Sequence, residues 1–443
     1  MSEAVLELPV LKELMVVAQK TRFREEDPIL VITPPSTDCL LSTAVICRAA
    51  FRTECQFQVT FTDMIPSIED IRTIVDSHPD AQPVLVGLRA GMPPMRKGVK
   101  HPAISIVPSD SRSREIVSIE STDQMGMACL ALSAQKYGVT TGEIELAILG
   151  SVLATETFGR GAGGGVQEFL AKGLETGLIR DVKGFRIFGT GFMPVSEALQ
   201  YSIRPYIRGI SGNREACERV LESADILQSS RREPIMKLST ESKQKLTAQL
   251  VPLLNKHTTA QLLGQDYELP REKDDSMLRF ASQLESIGLT SWAKQEMGLA
   301  LGLMLGDKAQ LLRTAIDTSL AHARAVTQGV EAAFSEYTPA KLTSQEALEL
   351  SSSKETLSDI GRILLENCTV PDGVLVLSSG GHVSVCWTEG RCALEKVMHA
   401  FSAKGVTVSS SSPTSVVAYG AAEAGLKTVF EVVKGLGGTE ANK

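Results

Sequence analysis

The sequence predicts an α/β protein: a largely parallel sheet covered by helices on both faces, then a helical stretch, then a second and smaller α/β unit. Three observations predict it. The first half alternates short apolar runs with segments of helical spacing. The middle is dominated by a 3.6-residue period, and the C-terminal stretch returns to strand–turn–strand patterning. At 443 residues the chain exceeds one ordinary core, so two or more domains are expected.

Taken in order, residues 29–33 (ILVIT) form a short apolar run closed by Pro34-Pro35, and residues 40–51 then have helical spacing. Residues 57–61 alternate like a strand, and Ile68, Ile71, Ile74 and Val75 recur at helical spacing. Residues 84–88 and 103–107 are two further strands, apolar enough to be buried on both faces. Strand–helix–strand alternation implies a parallel sheet, whose ligand chemistry sits at the carboxyl ends of the strands. Helices are expected over 123–137, 143–155 and 166–174. The glycine run at 159–165 (GRGAGGG) lacks the Gly-Lys-Ser/Thr ending of a phosphate loop and reads as a turn. Leu311, Leu312, Ala315, Ile316 and Leu320 mark a long amphipathic helix. Strands over 374–377 and 383–387 flank Ser378-Ser379-Gly380-Gly381-His382, a hairpin turn. A helix over 392–403, strands over 406–409 and 415–419 and a final helix complete the pattern. The expected segments are 1–200, a helical insertion with connecting helix at 201–335, a Ser/Thr-rich linker region at 336–360, and 361–443.

Composition excludes several classes. Hydrophobic residues at 43% and charged residues at 22% describe a globular protein. No apolar run approaches the roughly 20 residues of a membrane span, so no membrane partner is expected. The opening MSEAVLELPVLKEL carries acids in place of a basic leader, which points to the cytoplasm. The eight cysteines are scattered without a Cys-x-x-Cys pair, arguing for reduced, buried thiols and against zinc or redox motifs. A net charge of −7 argues against a protein coated in nucleic acid, so DNA contact must come from local basic stretches. Two qualify, residues 81–109 and 200–214. They supply Arg89, Arg96, Lys97, Arg204 and Arg208 as candidate contacts to single-stranded DNA, against the plainer reading of solvated loops.

Residues 201–213, YSIRPYIRGISGN, resemble the YS-x-x-PYI-x-GISGN segment of the archaeal RecJ-like proteins, GINS-associated nucleases of the DHH phosphoesterase family. Residues 173–179 (GLETGLI), 183–189 (KGFRIFG), 279–284 (RFASQL), 298–301 (GLAL) and Gly306-Asp307 fit the same pattern. The resemblance implies a DHH-type parallel-sheet domain and a DHH-associated C-terminal domain. It also implies a site in which clustered acids and histidines hold two manganese ions that activate water. At the positions of those motifs this sequence is nearly empty of ligands. The first motif, Asp-x-Asp-Gly-x-x-Ser, is matched by Ser36-Thr37-Asp38-Cys39-Leu40-Leu41-Ser42, which keeps Asp38 and Ser42 alone. The second acid falls at Gly87 or Leu88, the Asp-His-His motif at Pro108-Ser109, and a fourth acid at Ser151. The C-terminal Gly-Gly-Gly-His loop corresponds to residues 409–420, SSSSPTSVVAYG.

One carboxylate cannot compensate two divalent ions for their lost water. The chain is therefore expected to be non-catalytic and to bind no cofactor or metal. It is expected to act in replication as eukaryotes use a RecJ-family subunit, between GINS and the MCM helicase, with single-stranded DNA as a further partner. Two readings stay beside this one. One is a manganese-dependent exonuclease with a rearranged site drawing on Asp38, Asp110 and Glu143. The other is a DNA clamp with no helicase partner.

Overall fold

A computed structural model describes residues 2–21, 27–88, 104–106, 117–118, 125–157, 163–306, 309–337, 342, 346–419 and 423–437. The chain divides into two compact units. One comprises residues 1–181, 267–271 and 295–312; the other comprises 182–266, 272–294 and 313–443.

The first unit opens with helices α1 (Ser2–Leu6) and α2 (Pro9–Gln19). The βαβ pattern follows: β1 (Ile29–Thr33), α3 (Thr37–Arg52), β2 (Phe57–Phe61), α4 (Ile68–Asp76), β3 (Gln82–Val86), β4 (Ile104–Ile106) and β5 (Val117–Ser118). The strands form one sheet in the order β2-β1-β3-β4-β5, and every described pairing is parallel. β1 and β3 are buried at every residue, as strands covered on both faces must be. Leu30, Ile32 and Leu85 face Ile71 and Val75 of α4. That helix begins with a capping box in which Ser67 and Asp70 satisfy each other's backbone amides. The other face lies under α3, whose residues are almost all buried because α5 (Met125–Lys136) and α6 (Thr141–Thr157) pack on it. α7 (Gly164–Glu175) follows, close to the expected 166–174.

The second unit is mixed. β6 (Arg180–Phe185) starts at its boundary and pairs with β7 (Leu263–Glu268). Between them run α8 (Val195–Gln200), α9 (Arg214–Ser223), α10 (Thr240–Leu250) and α11 (Lys256–Leu262). α12 (Ala281–Ala293) belongs to the second unit, and α13 (Met297–Leu305) packs on α3 in the first. The long helix extends well past the pattern that announced it, as α14 (Gln310–Glu336). Then come β8 (Ala347–Glu349), α15 (Lys354–Asn367), β9 (Val374–Ser379), β10 (His382–Trp387), α16 (Leu394–Ser402), β11 (Val408–Ser412), β12 (Ser415–Ala418) and α17 (Glu423–Gly437). The sheet order is β11-β12-β10-β9-β8, antiparallel except for the β8–β9 pair. Gly380 and Gly381 both take positive φ in the β9–β10 turn, which explains a Gly-Gly pair in a two-residue hairpin.

Residues 336–360, expected as a linker, differ from that expectation. They contain β8 and the first half of α15, with Leu348, Leu350, Leu357 and Ile360 in the core. Their Ser/Thr-rich composition hides a short edge strand and a helix N-terminus.

Within the second unit Asp359 of α15 is buried at 2% exposure among cations. Arg204 Nη2 donates to its Oδ1 at 2.5 Å, and His322 Nε2 of α14 lies 2.8 Å from its Oδ2. Arg362 Nη2 donates to Ile203 O at 2.6 Å, and its Nη1 makes two bonds of 2.8 and 2.9 Å to Glu366. Burial alone would raise the Asp359 pKa, and this is the largest influence. The Arg204 charge, the His322 hydrogen bond and Arg362 together reverse it and hold the group well below the ordinary carboxylate range.

A depressed folded pKa means stability that is present above the unfolded carboxylate pKa of about 4 and is lost on acidification below it. Asp359→Asn is therefore expected to flatten the acid limb of the stability curve, measured by urea unfolding between pH 6 and pH 3. Asp359→Ala, which leaves Arg204 without its carboxylate while Arg362 keeps Glu366, is expected to cost about 3–5 kcal/mol at neutral pH.

Candidate functional site

In a parallel α/β sheet the productive edge is the carboxyl one, and the positions singled out in the sequence meet there. β1 ends at Thr33, and Pro34-Pro35 forces an extended exit, so that Ser36 becomes the N-cap of α3 with extended backbone. Its hydroxyl makes no capping bond. Asp38 lies in the first helical turn, buried at 4% exposure, where the helix dipole favours a negative charge. Gly87 follows β3 with φ of +72°. A methyl at Gly87 would overlap Cys39 Sγ and stand 3.1 Å from Met125 Sδ at the start of α5.

α6 closes the cluster. A methyl at Gly150 would stand 3.3 Å from Ser42 Oγ and 3.5 Å from Asp38 O, so α6 crosses α3 closely at this point. Ser151 turns its hydroxyl back to Ala147 O at 2.9 Å. The structure thus brings Ser36, Asp38, Gly87 and Ser151 to one edge. Pro108, Ser109 and Asp110 lie outside the described residues, as do Arg89, Arg96 and Lys97.

Among the described residues of this edge, Asp38 is the one charged group that the sequence comparison placed here. Cys39 Sγ and Met125 Sδ approach to 3.9 Å and occupy the space beside Gly87. The hydroxyls of Ser36, Thr37, Ser42 and Thr43 are buried and find no hydrogen-bond partner among the described residues. Hard divalent cations take carboxylate, carbonyl and water oxygens or imidazole, and thioether and thiol groups suit them poorly. Among the described residues no three His, Cys, Asp or Glu side chains gather where they could hold a metal ion. The described donor set therefore does not fit a pair of manganese ions.

Glu143, a candidate for a rearranged site, is placed elsewhere. Its Oε2 accepts from Thr140 N–H at 2.7 Å, and its Oε1 lies 3.8 Å from Arg48 Nε and 3.7 Å from Arg52 Nε. Arg48 is ten residues beyond Asp38 on α3, about 15 Å along the helix. Arg204, a candidate DNA contact, is half-buried and paired with Asp359, whereas Arg208 is exposed. In the C-terminal loop, Ser411, Ser412 and Ser358 converge on Ser415, with Oγ separations of 2.9, 2.7 and 2.8 Å. A closed hydroxyl network stands where the resemblance implied a glycine-lined grip. His382 opens β10 directly after the hairpin turn, its ring edge-on to Tyr419 at 6.2 Å.

Two substitutions separate the packing constraints of this edge. Gly87→Ala meets both a left-handed backbone and the Cys39 sulfur, and is expected to lower stability by roughly 2–4 kcal/mol. Ser42→Ala removes a buried hydroxyl that finds no partner among the described residues and is expected to be neutral or stabilising by up to about 1 kcal/mol. Thermal unfolding of the two variants checks both expectations.

No protein-family profile matches the chain, and no curated protein matches it in sequence. Solved structures do. The crystal structure of CDC45 from Entamoeba histolytica superposes with a TM-score of 0.63 at 9% identity, covering 96% of this chain and 98% of that one. RecJ from Thermus thermophilus, crystallised in complex with Mn2+, superposes with a TM-score of 0.51 at 12% identity. The match takes in 99% of this chain but 56% of that RecJ, so the chain spans little more than half the length of that enzyme. The order of elements, the parallel first sheet and the near-complete coverage agree: this chain has the RecJ-like fold that CDC45 shares.

Proposed function

We propose that this protein is a non-catalytic DNA replication factor, an archaeal counterpart of the CDC45 type, which binds GINS and supports the MCM replicative helicase. It works in the replisome and touches single-stranded DNA as a secondary partner. The observation that carries the reading is the carboxyl edge of the first sheet, where Asp38 stands among Ser36, Gly87 and Ser151 and the space is filled by Cys39 and Met125. Hydrolysis of a phosphodiester by two metals needs ligands that neutralise both ions and orient water, and the described edge offers one carboxylate. The placement of Glu143 against Arg48 and Arg52 removes one of the acids a rearranged site would need. The likeness to CDC45 over nearly the whole chain supports a replication role, and the residue pattern of 201–213 supports the GINS association.

The direct test is co-elution or calorimetric titration of the purified protein with the GINS complex of its own organism. Stoichiometric binding is expected, followed by stimulation of MCM unwinding when the three are combined. In parallel, incubation of labelled single-stranded DNA with Mn2+ is expected to release no nucleotides. Manganese-dependent release abolished by Asp38→Ala would instead establish the exonuclease reading.

A further inference from the structure

Outside the carboxyl edge, the described surface of the second unit holds two exposed arginines in an unusual setting. Residues 201–208 run alongside α14 and meet it twice. At one end the Arg324 guanidinium lies over the Tyr201 ring, 5.5 Å from its centroid, and donates to the Tyr201 hydroxyl at 3.2 Å. At the other, the Arg208 guanidinium lies over the Phe334 ring, 4.9 Å from its centroid. Phe334 in turn packs against the buried Tyr206, 6.4 Å between ring centres. Arg324 and Phe334 are ten positions apart on α14, about 15 Å along its axis.

A guanidinium resting on an aromatic ring has lost much of its rotamer freedom before any partner arrives. Its outer face and its edge N–H groups remain available. That combination suits a single-stranded polynucleotide: the edges take phosphate oxygens, and the planar outer faces accept a stacked base. An acidic peptide would use the charge but not the plane. Glu331, exposed between the two contacts on α14, lies against Gly212 and makes no described ion pair with either arginine. We propose that Arg208 and Arg324, presented by Phe334 and Tyr201, form a contact strip for single-stranded nucleic acid. The proposal deepens the replication reading by assigning its DNA contact to this face, and it rests on that reading.

The test is fluorescence anisotropy of a labelled oligothymidylate against the full chain at several salt concentrations. It compares the wild type with Arg208→Ala/Arg324→Ala and with Arg208→Lys/Arg324→Lys. The alanine pair is expected to weaken binding at least roughly tenfold and to reduce the salt slope by about 1.4, two phosphate contacts at about 0.7 each. The lysine pair, which keeps charge and loses the plane, is expected to preserve the slope while losing part of the affinity. An unchanged slope in the alanine pair, or no measurable binding by the wild type, overturns the strip. Equal competition by polyglutamate overturns its assignment to nucleic acid. GINS co-elution of the wild-type chain reports on the replication reading separately, so loss of the strip and loss of that reading are distinguishable.

Discussion

The second unit depends on one buried carboxylate. Asp359 neutralises Arg204, a cation that arrives from a loop 155 residues earlier, and it does so on a helix that also carries Arg362 and Glu366. Two carboxylates face two guanidiniums, so the buried cluster is neutral while each member is charged. Such a cluster adds little net stability over an apolar replacement, because desolvation offsets most of the attraction. In this arrangement Arg204 and His322 meet Asp359, and Arg362 holds the 201–208 loop again through Ile203 O. Glu366 extends the tie to α11, whose N-cap Asn255 donates to Glu366 O at 2.8 Å. The most distinctive phrase of the sequence is thus, at Arg204, a tether between helices. Its neighbour Arg208 points outward and is left for contact.

The first unit poses the opposite problem, since its critical edge is nearly uncharged. A parallel sheet with helices on both faces leaves a crevice at the strand ends, and what fills that crevice decides its chemistry. Here the fill is soft and close-packed. Gly87 has no room for a side chain because Cys39 is already there, and Gly150 lets α6 press on the first turns of α3. These are packing solutions in place of coordination. The hydroxyls of Ser36, Thr37, Ser42 and Thr43 are buried among these packed side chains.

Much of this architecture was legible in the sequence, and the limits have physical causes. ILVIT and the β3 run announced themselves because a strand buried on both faces cannot alternate, and Gly380-Gly381 announced a turn that demands positive φ. Phe57–Phe61 was legible to the residue. β8 was not, since three residues in a polar segment carry no measurable period. At the site, Ser36, Asp38, Gly87 and Ser151 were legible through the resemblance of their surroundings to known motifs. The fill was not: Met125 reaches Cys39 across 86 residues, and no local pattern encodes that contact. The pairing of Arg204 was not legible for the same reason, because its partner Asp359 lies 155 residues away.

Backbone likeness at 9% and 12% identity shows that very different sequences build this fold, so catalytic capacity must reside in a few side chains at one edge. Those side chains carry an energetic consequence beyond catalysis. Carboxylates clustered for two cations repel one another when the cations are absent, and that repulsion couples the folding of the domain to metal. The described part of this edge, built from hydroxyls, sulfur and one carboxylate, has no such repulsion to relieve, so its packing at Gly87 and Gly150 does not depend on an exchangeable ion.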